Sequence, residues 1–105
     1  MDILCVTDIF GHKIQLTEKR WRHILAHHPI MEQYLDHIKL TLAEPNTVQH
    51  SLVNENEYRY YRLFDEIYGG MYVLVAVIKD VDNFIVTAFV VRKIREGGKV
   101  IWLKR

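Results

Sequence analysis

The sequence predicts an α+β fold, with an N-terminal hairpin and two helices packed on one face of an antiparallel β-sheet. Three observations lead there. Apolar residues recur with helical period between Leu16 and Leu42, the period falls to two after Pro45, and Gly, Asn and Asp turn signals separate the later apolar runs. The chain has 105 residues, 50% of them hydrophobic, which suits one core and is too short for two, so residues 1–105 read as a single domain.

The elements follow in order. Ile3 to Val6 is an apolar run, Asp8-Ile9-Phe10-Gly11 supplies turn chemistry, and His12 to Leu16 alternates, which together read as a hairpin. Thr17 is a good N-cap, Glu18 suits the helix dipole, and Leu16 with Trp21 forms a hydrophobic staple. Trp21, Ile24, Leu25 and His28 share one helical face, and Pro29 ends that helix at His28. A second helix is expected from Met31 to Leu42, with Met31, Tyr34, Leu35, Ile38 and Leu42 as its buried stripe. Strands are expected over Thr47 to Val53, Tyr58 to Phe64, Met71 to Lys79 and Phe84 to Val91, with Val100 to Leu103 as an edge strand. The Met71 run is apolar almost throughout and reads as central, covered on both faces.

Composition narrows the function classes. Fourteen basic and 13 acidic residues leave a formal charge of +1, so no strong basic field advertises nucleic-acid binding. The single cysteine, Cys5, excludes an internal disulfide framework and a cysteine zinc cluster, and its apolar surroundings read as core. The opening residues lack the positive region of a signal peptide, and the longest apolar run, Met71 to Ile78, is far short of the ~20 residues of a membrane span. The expectation is a soluble cytoplasmic protein without a membrane partner; its oligomeric state cannot be read.

Three clusters can carry chemistry. His23 and His27 lie four residues apart on one helical face, joined by Arg20 and opposite Trp21 and Leu25, while Pro29 lets His28 leave the helical path. The histidines read as solvated surface residues, as a zinc-chelating pair, or as acid–base groups active near neutrality. The zinc reading lacks the Glu that should follow the first His, where Ile24 stands, and lacks a clear third ligand. In Tyr58-Arg59-Tyr60-Tyr61-Arg62, alternation puts Arg59 and Tyr61 on one face and Tyr58, Tyr60 and Arg62 on the other. Such a strand can clamp a phosphate with Arg and stack rings on bases, or simply be half-buried. Thr87 interrupts a buried run, and Lys79 ends the strand before it. A two-residue turn pairs Ala76 with Thr87 and puts Lys79 on the other face; one more loop residue brings Lys79 to the side of Thr87.

Arg20-Trp21-Arg22-His23-Ile24, His28-Pro29, Glu44-Pro45-Asn46-Thr47-Val48, Tyr60-Tyr61-Arg62 and Thr87-Ala88-Phe89, in that order and spacing, resemble the phage-associated barnase–EndoU–colicin E5/D–RelE-like nucleases. The resemblance runs from Leu16 to Phe89 and leaves out the initial hairpin and the strand of Trp102. It implies a barnase/EndoU/RelE-like fold that cleaves RNA without metal or cofactor, acts as a toxin or phage effector, and has an antitoxin or immunity protein as partner. It implies His23, His28, Arg62 and Thr87 as catalytic residues and Arg20, His27, Arg59, Tyr60, Tyr61 and Lys79 as substrate-binding ones. His27 departs from the basic residue usual before the His-Pro pair. The implied reaction is attack of a ribose 2′-OH on the adjacent phosphorus. Two other classes compete: a binding module of the same fold that has lost catalysis, which the near-neutral charge favours, and an interaction protein joined through the apolar edge near Trp102.

Overall fold

Local chemistry sets the element boundaries in the computed structural model, which describes residues 2–105. Strands β1 (Asp2–Thr7) and β2 (Lys13–Thr17) pair antiparallel around the turn at residues 8–12. Thr17 ends β2 and caps helix α1 (Glu18–His27), its hydroxyl accepting the Arg20 amide at 3.2 Å. The expected second helix divides. Pro29 opens a 3₁₀ helix over Pro29–Tyr34, and α2 (Leu35–Ala43) begins only where Leu35 reaches α geometry. Met31, Ile38 and Leu42 are buried across that division, so the apolar stripe survives while the hydrogen-bond pattern changes.

The remaining strands are β3 (Thr47–Ser51), β4 (Glu57–Phe64), β5 (Met71–Lys79), β6 (Asn83–Val91) and β7 (Gly98–Leu103). β3 stops two residues earlier than expected because the Ser51 hydroxyl accepts the amides of Val53 and Asn54 and turns the chain. All seven strands form one sheet in the order β1-β2-β6-β5-β4-β3-β7. The sheet is mixed, which corrects the antiparallel expectation: β2 meets β6 in parallel at Gln15 and Phe84.

Helices cover one face only. Tyr60 and Phe64 of β4, Val73, Val75 and Val77 of β5, and Ile85 and Ala88 of β6 pack against Ile24, Met31, Ile38 and Leu42. On the opposite, outer face Tyr61, Leu74 and Ala76 are buried among Tyr72, Phe89, Val91 and Ile94. Central β5 is therefore covered on both sides. Cys5 is exposed, contrary to its expected core position, because alternation along edge strand β1 turns Leu4 inward and Cys5 out. No helix among the described residues is long and apolar enough to cross a membrane.

The β1–β2 turn is locked to the sheet by Asp8. Its Oδ1 accepts the amides of Phe10 (3.0 Å) and His12 (2.8 Å), and its Oδ2 accepts the Tyr60 hydroxyl and the Lys79 ammonium (2.7 Å). The Asp8 side chain is fully buried. Burial pushes its carboxyl pKa up, but the hydrogen bonds from Lys79, Tyr60 and His12 outweigh burial and hold it below the usual carboxylate value. Asp8→Asn, which strands the Lys79 charge, is expected to cost about 3 kcal/mol at pH 7. Because the folded-state pKa is lowered, this stabilisation is present above pH 3.8 and is lost as pH falls through the folded value. Denaturant titrations of both proteins should therefore differ most at neutral pH and converge in acid.

Candidate functional site

The outer face is organised in rows across β4, β5 and β6. One row reads Arg59, Ala76, Thr87; the next reads Tyr61, Leu74, Phe89. Ala76 is the small, buried member of its row, between Arg59 and Thr87. The register that places Thr87 opposite Ala76 arises in two steps. A three-residue turn first pairs Lys79 with Asn83, and a bulge at Val86 then moves Thr87 back opposite Ala76.

Two further segments reach this face. α1 packs beside β6, and its last backbone bond runs from the His28 amide to the Ile24 carbonyl at 2.7 Å. Pro29 turns the chain at that point, and the His28 ring lies on Phe89 with centroids 4.8 Å apart and planes 19° apart. The imidazole thus reaches the face that carries Thr87. On the other side, residues 92–97 cross the outer face on the way from β6 to β7. The Arg95 amide donates to the Tyr61 hydroxyl (3.4 Å), Gln49 Nε2 donates to the Arg95 carbonyl (3.1 Å), and the Arg95 guanidinium lies 5.0 Å from the Phe89 ring centre. Phe89 therefore touches both His28 and Arg95.

The charges at the site are set by these neighbours. Burial lowers the His28 pKa below 6.5, and the charge of adjacent His27 lowers it further, so the ring is neutral at pH 7. Burial raises the Tyr61 hydroxyl, while the Arg95 amide and the charges of Arg59 and Arg95 oppose that rise without cancelling it. Arg59 directs two nitrogens at one Glu57 oxygen, Oε2, at 2.9 Å from Nε and 2.8 Å from a terminal nitrogen. Near-neutral His28, the Thr87 hydroxyl and the two guanidiniums of Arg59 and Arg95 can together accept a proton and stabilise an anion.

The expected site residues divide between the two faces. His28, Thr87, Arg59 and Tyr61 share the outer one, although the Tyr61 ring is buried and offers no open surface for stacking. His23 and His27 are exposed on α1, their rings 4.5 Å apart, with His27 Nδ1 donating to the His23 carbonyl at 3.0 Å. Arg20 stays in the first turn of α1, where its amide is capped by Thr17. Arg62 does not join His28 and Thr87. Alternation turns it to the helix side with Tyr60 and Phe64, where it donates to the Glu44 carbonyl (2.5 Å) and lies 5.4 Å from the Phe64 ring centre. Tyr60 is a core residue bonded to Asp8 rather than a stacking surface, and Lys79 is on the face opposite Thr87. Arg95 and Phe89 were missed as site residues. Arg95 follows a polar stretch with no periodic pattern, and Phe89 reads from sequence as ordinary strand core. Among the described residues no group of three His, Cys, Asp or Glu side chains is placed to hold a metal ion.

Compared with known families, residues 4–102 match the model described as phage-Barnase-EndoU-ColicinE5/D-RelE like nuclease 2. Neither the curated proteins nor the solved structures give a match.

Two predictions follow from this geometry. In an NMR titration the His28 ring should titrate below pH 6.5, and His27→Gln should move it upward by removing the adjacent charge. Gly98→Ala would place a Cβ 2.8 Å from Gln49 Oε1 and 2.9 Å from Gln49 Cβ. It should displace Gln49, weaken its bond to Arg95, and raise amide exchange at Arg95 relative to the β5 core.

Proposed function

Since the chain belongs to the phage-Barnase-EndoU-ColicinE5/D-RelE like nuclease 2 family, we propose that it is an endoribonuclease working through its own side chains, by 2′-OH transphosphorylation on the outer face. The observation that supports this reading is that the His28 imidazole and the Arg95 guanidinium both lie on Phe89, on the sheet face that also carries Thr87 and Arg59. His28 takes the proton of the 2′-OH as that oxygen attacks phosphorus. The 2′-O–P bond forms and the P–O5′ bond breaks, leaving a 2′,3′-cyclic phosphate and a free 5′-OH. Arg59 and Arg95 stabilise the charge that grows on the phosphoryl oxygens, and Thr87 donates a hydrogen bond to one of them.

The proton for the leaving oxygen comes from His27, whose ring is held by the His23 carbonyl and lies tilted at 45° against the His23 imidazole. His23 is thus assigned as a positioning residue. An RNase of this kind is toxic inside a cell, which fits a toxin or phage-effector role with an antitoxin or immunity protein that covers this face. The near-neutral charge supports a second reading, an RNA- or protein-binding module of the same fold without catalysis.

The test is incubation with RNA in the presence of chelator, with analysis of the ends. Cyclic phosphates are expected, and the same sequence as DNA, which lacks the nucleophile, should survive. His28→Ala should lower the rate by about 10²–10⁴-fold with the fold intact. The acid limb of the pH–rate profile should have its midpoint below pH 6.5. Equal cutting of DNA, or full activity in His28→Ala, would overturn the mechanism; salt-sensitive RNA binding without cleavage would establish the second reading.

A further inference from the structure

The charge of the chain is unevenly placed. Residues 92–105 hold six of its 14 basic residues and one of its 13 acidic ones, a net charge of +5, against −4 for residues 1–91. Among the described residues none of those six cations is paired with a carboxylate, whereas Arg22, Lys39, Arg59 and Lys79 all are. Charges on an edge strand guard it against pairing with other strands, and β7 is such a strand, with β3 on one side only. That role does not account for the groove beside it.

Where β7 ends, a cavity of about 410 Å³ opens, lined among others by Asn46, Tyr72, Ile94, Leu103, Lys104 and Arg105. Its frame is fixed. The Thr47 hydroxyl donates to the Trp102 carbonyl at 3.0 Å, and the Lys104 amide donates to the Asn46 carbonyl at 2.9 Å. Asn46 Oδ1 accepts the Leu63 amide at 2.6 Å, which leaves the Asn46 side-chain nitrogen as a donor without a partner among the described residues. With Lys104 and Arg105, the polar rim therefore offers donors and positive charge, and no carboxylate lines it. The rest of the surface is aliphatic. Leu103 is 62% exposed and Val100 52%. Both lie on the outer side, opposite Thr47 and Gln49, which are paired with Tyr61 and Arg59.

This combination selects among anions. A nucleic acid would set its phosphates against Leu103 and Val100 and would find no open ring on which to stack a base. Trp102 packs into the helix-side core, and Tyr72 is half-buried, edge-on to Tyr61 with ring centres 6.4 Å apart. A second copy paired along β7 would oppose like charges. A polypeptide segment carrying both carboxylates and aliphatic side chains satisfies rim and floor together.

We infer that this groove and the outer side of β7 dock an acidic, aliphatic-containing segment of another protein. The surface goes beyond the proposed cleavage and does not depend on it, since binding alone tests it. The probe is the peptide EELDEVLDE, labelled for fluorescence anisotropy, with NMR of the whole protein to map its position. It should bind, lose affinity as salt is raised, and shift Thr47, Ile94 and Leu103 while leaving Phe10 and His12 unmoved. Replacing its acids by Gln and Asn, or its Leu and Val by Ser, should each weaken it about tenfold. On the protein, the double variant Lys104→Glu/Arg105→Glu and the single variant Leu103→Ser should each weaken it to a similar degree. All three positions are exposed, so the melting temperature should not change. Equal binding of the uncharged peptide, or shifts away from the groove, would overturn the inference. So would tighter binding of an oligouridylate of matched length at the same residues, which would assign the groove to RNA. Sedimentation showing that the protein alone forms a dimer covering Leu103 would overturn it in favour of a second copy.

Discussion

The connection between β6 and β7 is the constraint on which the outer face depends. The two strands are consecutive in the chain but lie on either side of β5, β4 and β3 in the sheet. Four strand spacings amount to about 19 Å measured along the sheet. β6 and β7 run parallel, so the six connecting residues, 92–97, must also return along the strands, a diagonal close to the roughly 25 Å they reach when fully extended. There is little slack, so the segment must run directly over the middle of the sheet. Helices already fill the other face, which leaves it only the outer one. Arg95 consequently falls above Tyr61, held there by its amide's bond to the Tyr61 hydroxyl and by the bond from Gln49 to its carbonyl. Gly98 completes the arrangement, since any side chain at that position would strike Gln49.

This strap brings Ile94 and Arg95 over the outer face. Without it, the row of Arg59, Ala76 and Thr87 would be an open surface on which a phosphate has no fixed position. The placement of His28 has a different origin, in Pro29. By ending α1 where it does, the proline frees His28 from the helical path and lets the ring settle on Phe89. Phe89 is the shared support, with the imidazole stacked against its ring and the Arg95 guanidinium 5.0 Å from its centre. A side chain that reads as core from sequence thus fixes the spacing of two polar groups contributed by segments far apart in the chain.

Much of the fold was legible because its signals are local. The Thr17 cap, the stop at Pro29 and the alternation in β4, β5 and β6 all act over a few residues and appear in the structure. The division of Tyr58 to Arg62 between faces was legible for the same reason. The family resemblance drew attention to Arg62, yet alternation alone had put Arg59 with Tyr61 and Arg62 with Tyr60. The Thr87 register was not legible, because a three-residue turn and a bulge at Val86 offset one another and neither has a sequence signature strong enough to choose. The strap and the Asp8 lock were illegible for a deeper reason. Arg95 owes its place to strand order, and Asp8 owes its role to Lys79, 71 residues later; neither is encoded in any short window.

The near-neutral charge of the chain bears on how the proposed site would recognise RNA. The two guanidiniums on the outer face do not form a broad basic stripe, and one of them, Arg59, is already paired with Glu57 Oε2 through two nitrogens. A phosphate placed beside Ala76 must compete with that carboxylate. It therefore gains less from Arg59 than an unpaired guanidinium would offer, and counterion release contributes correspondingly little to binding. What the proposed site would provide is fixed geometry around a single linkage, with a neutral base on one side and donors on the other. Such a site stabilises charge that develops during reaction more than charge already present in the ground state. That asymmetry favours rate over affinity, and it fits a domain whose sequence shows almost no electrostatic sign of its substrate.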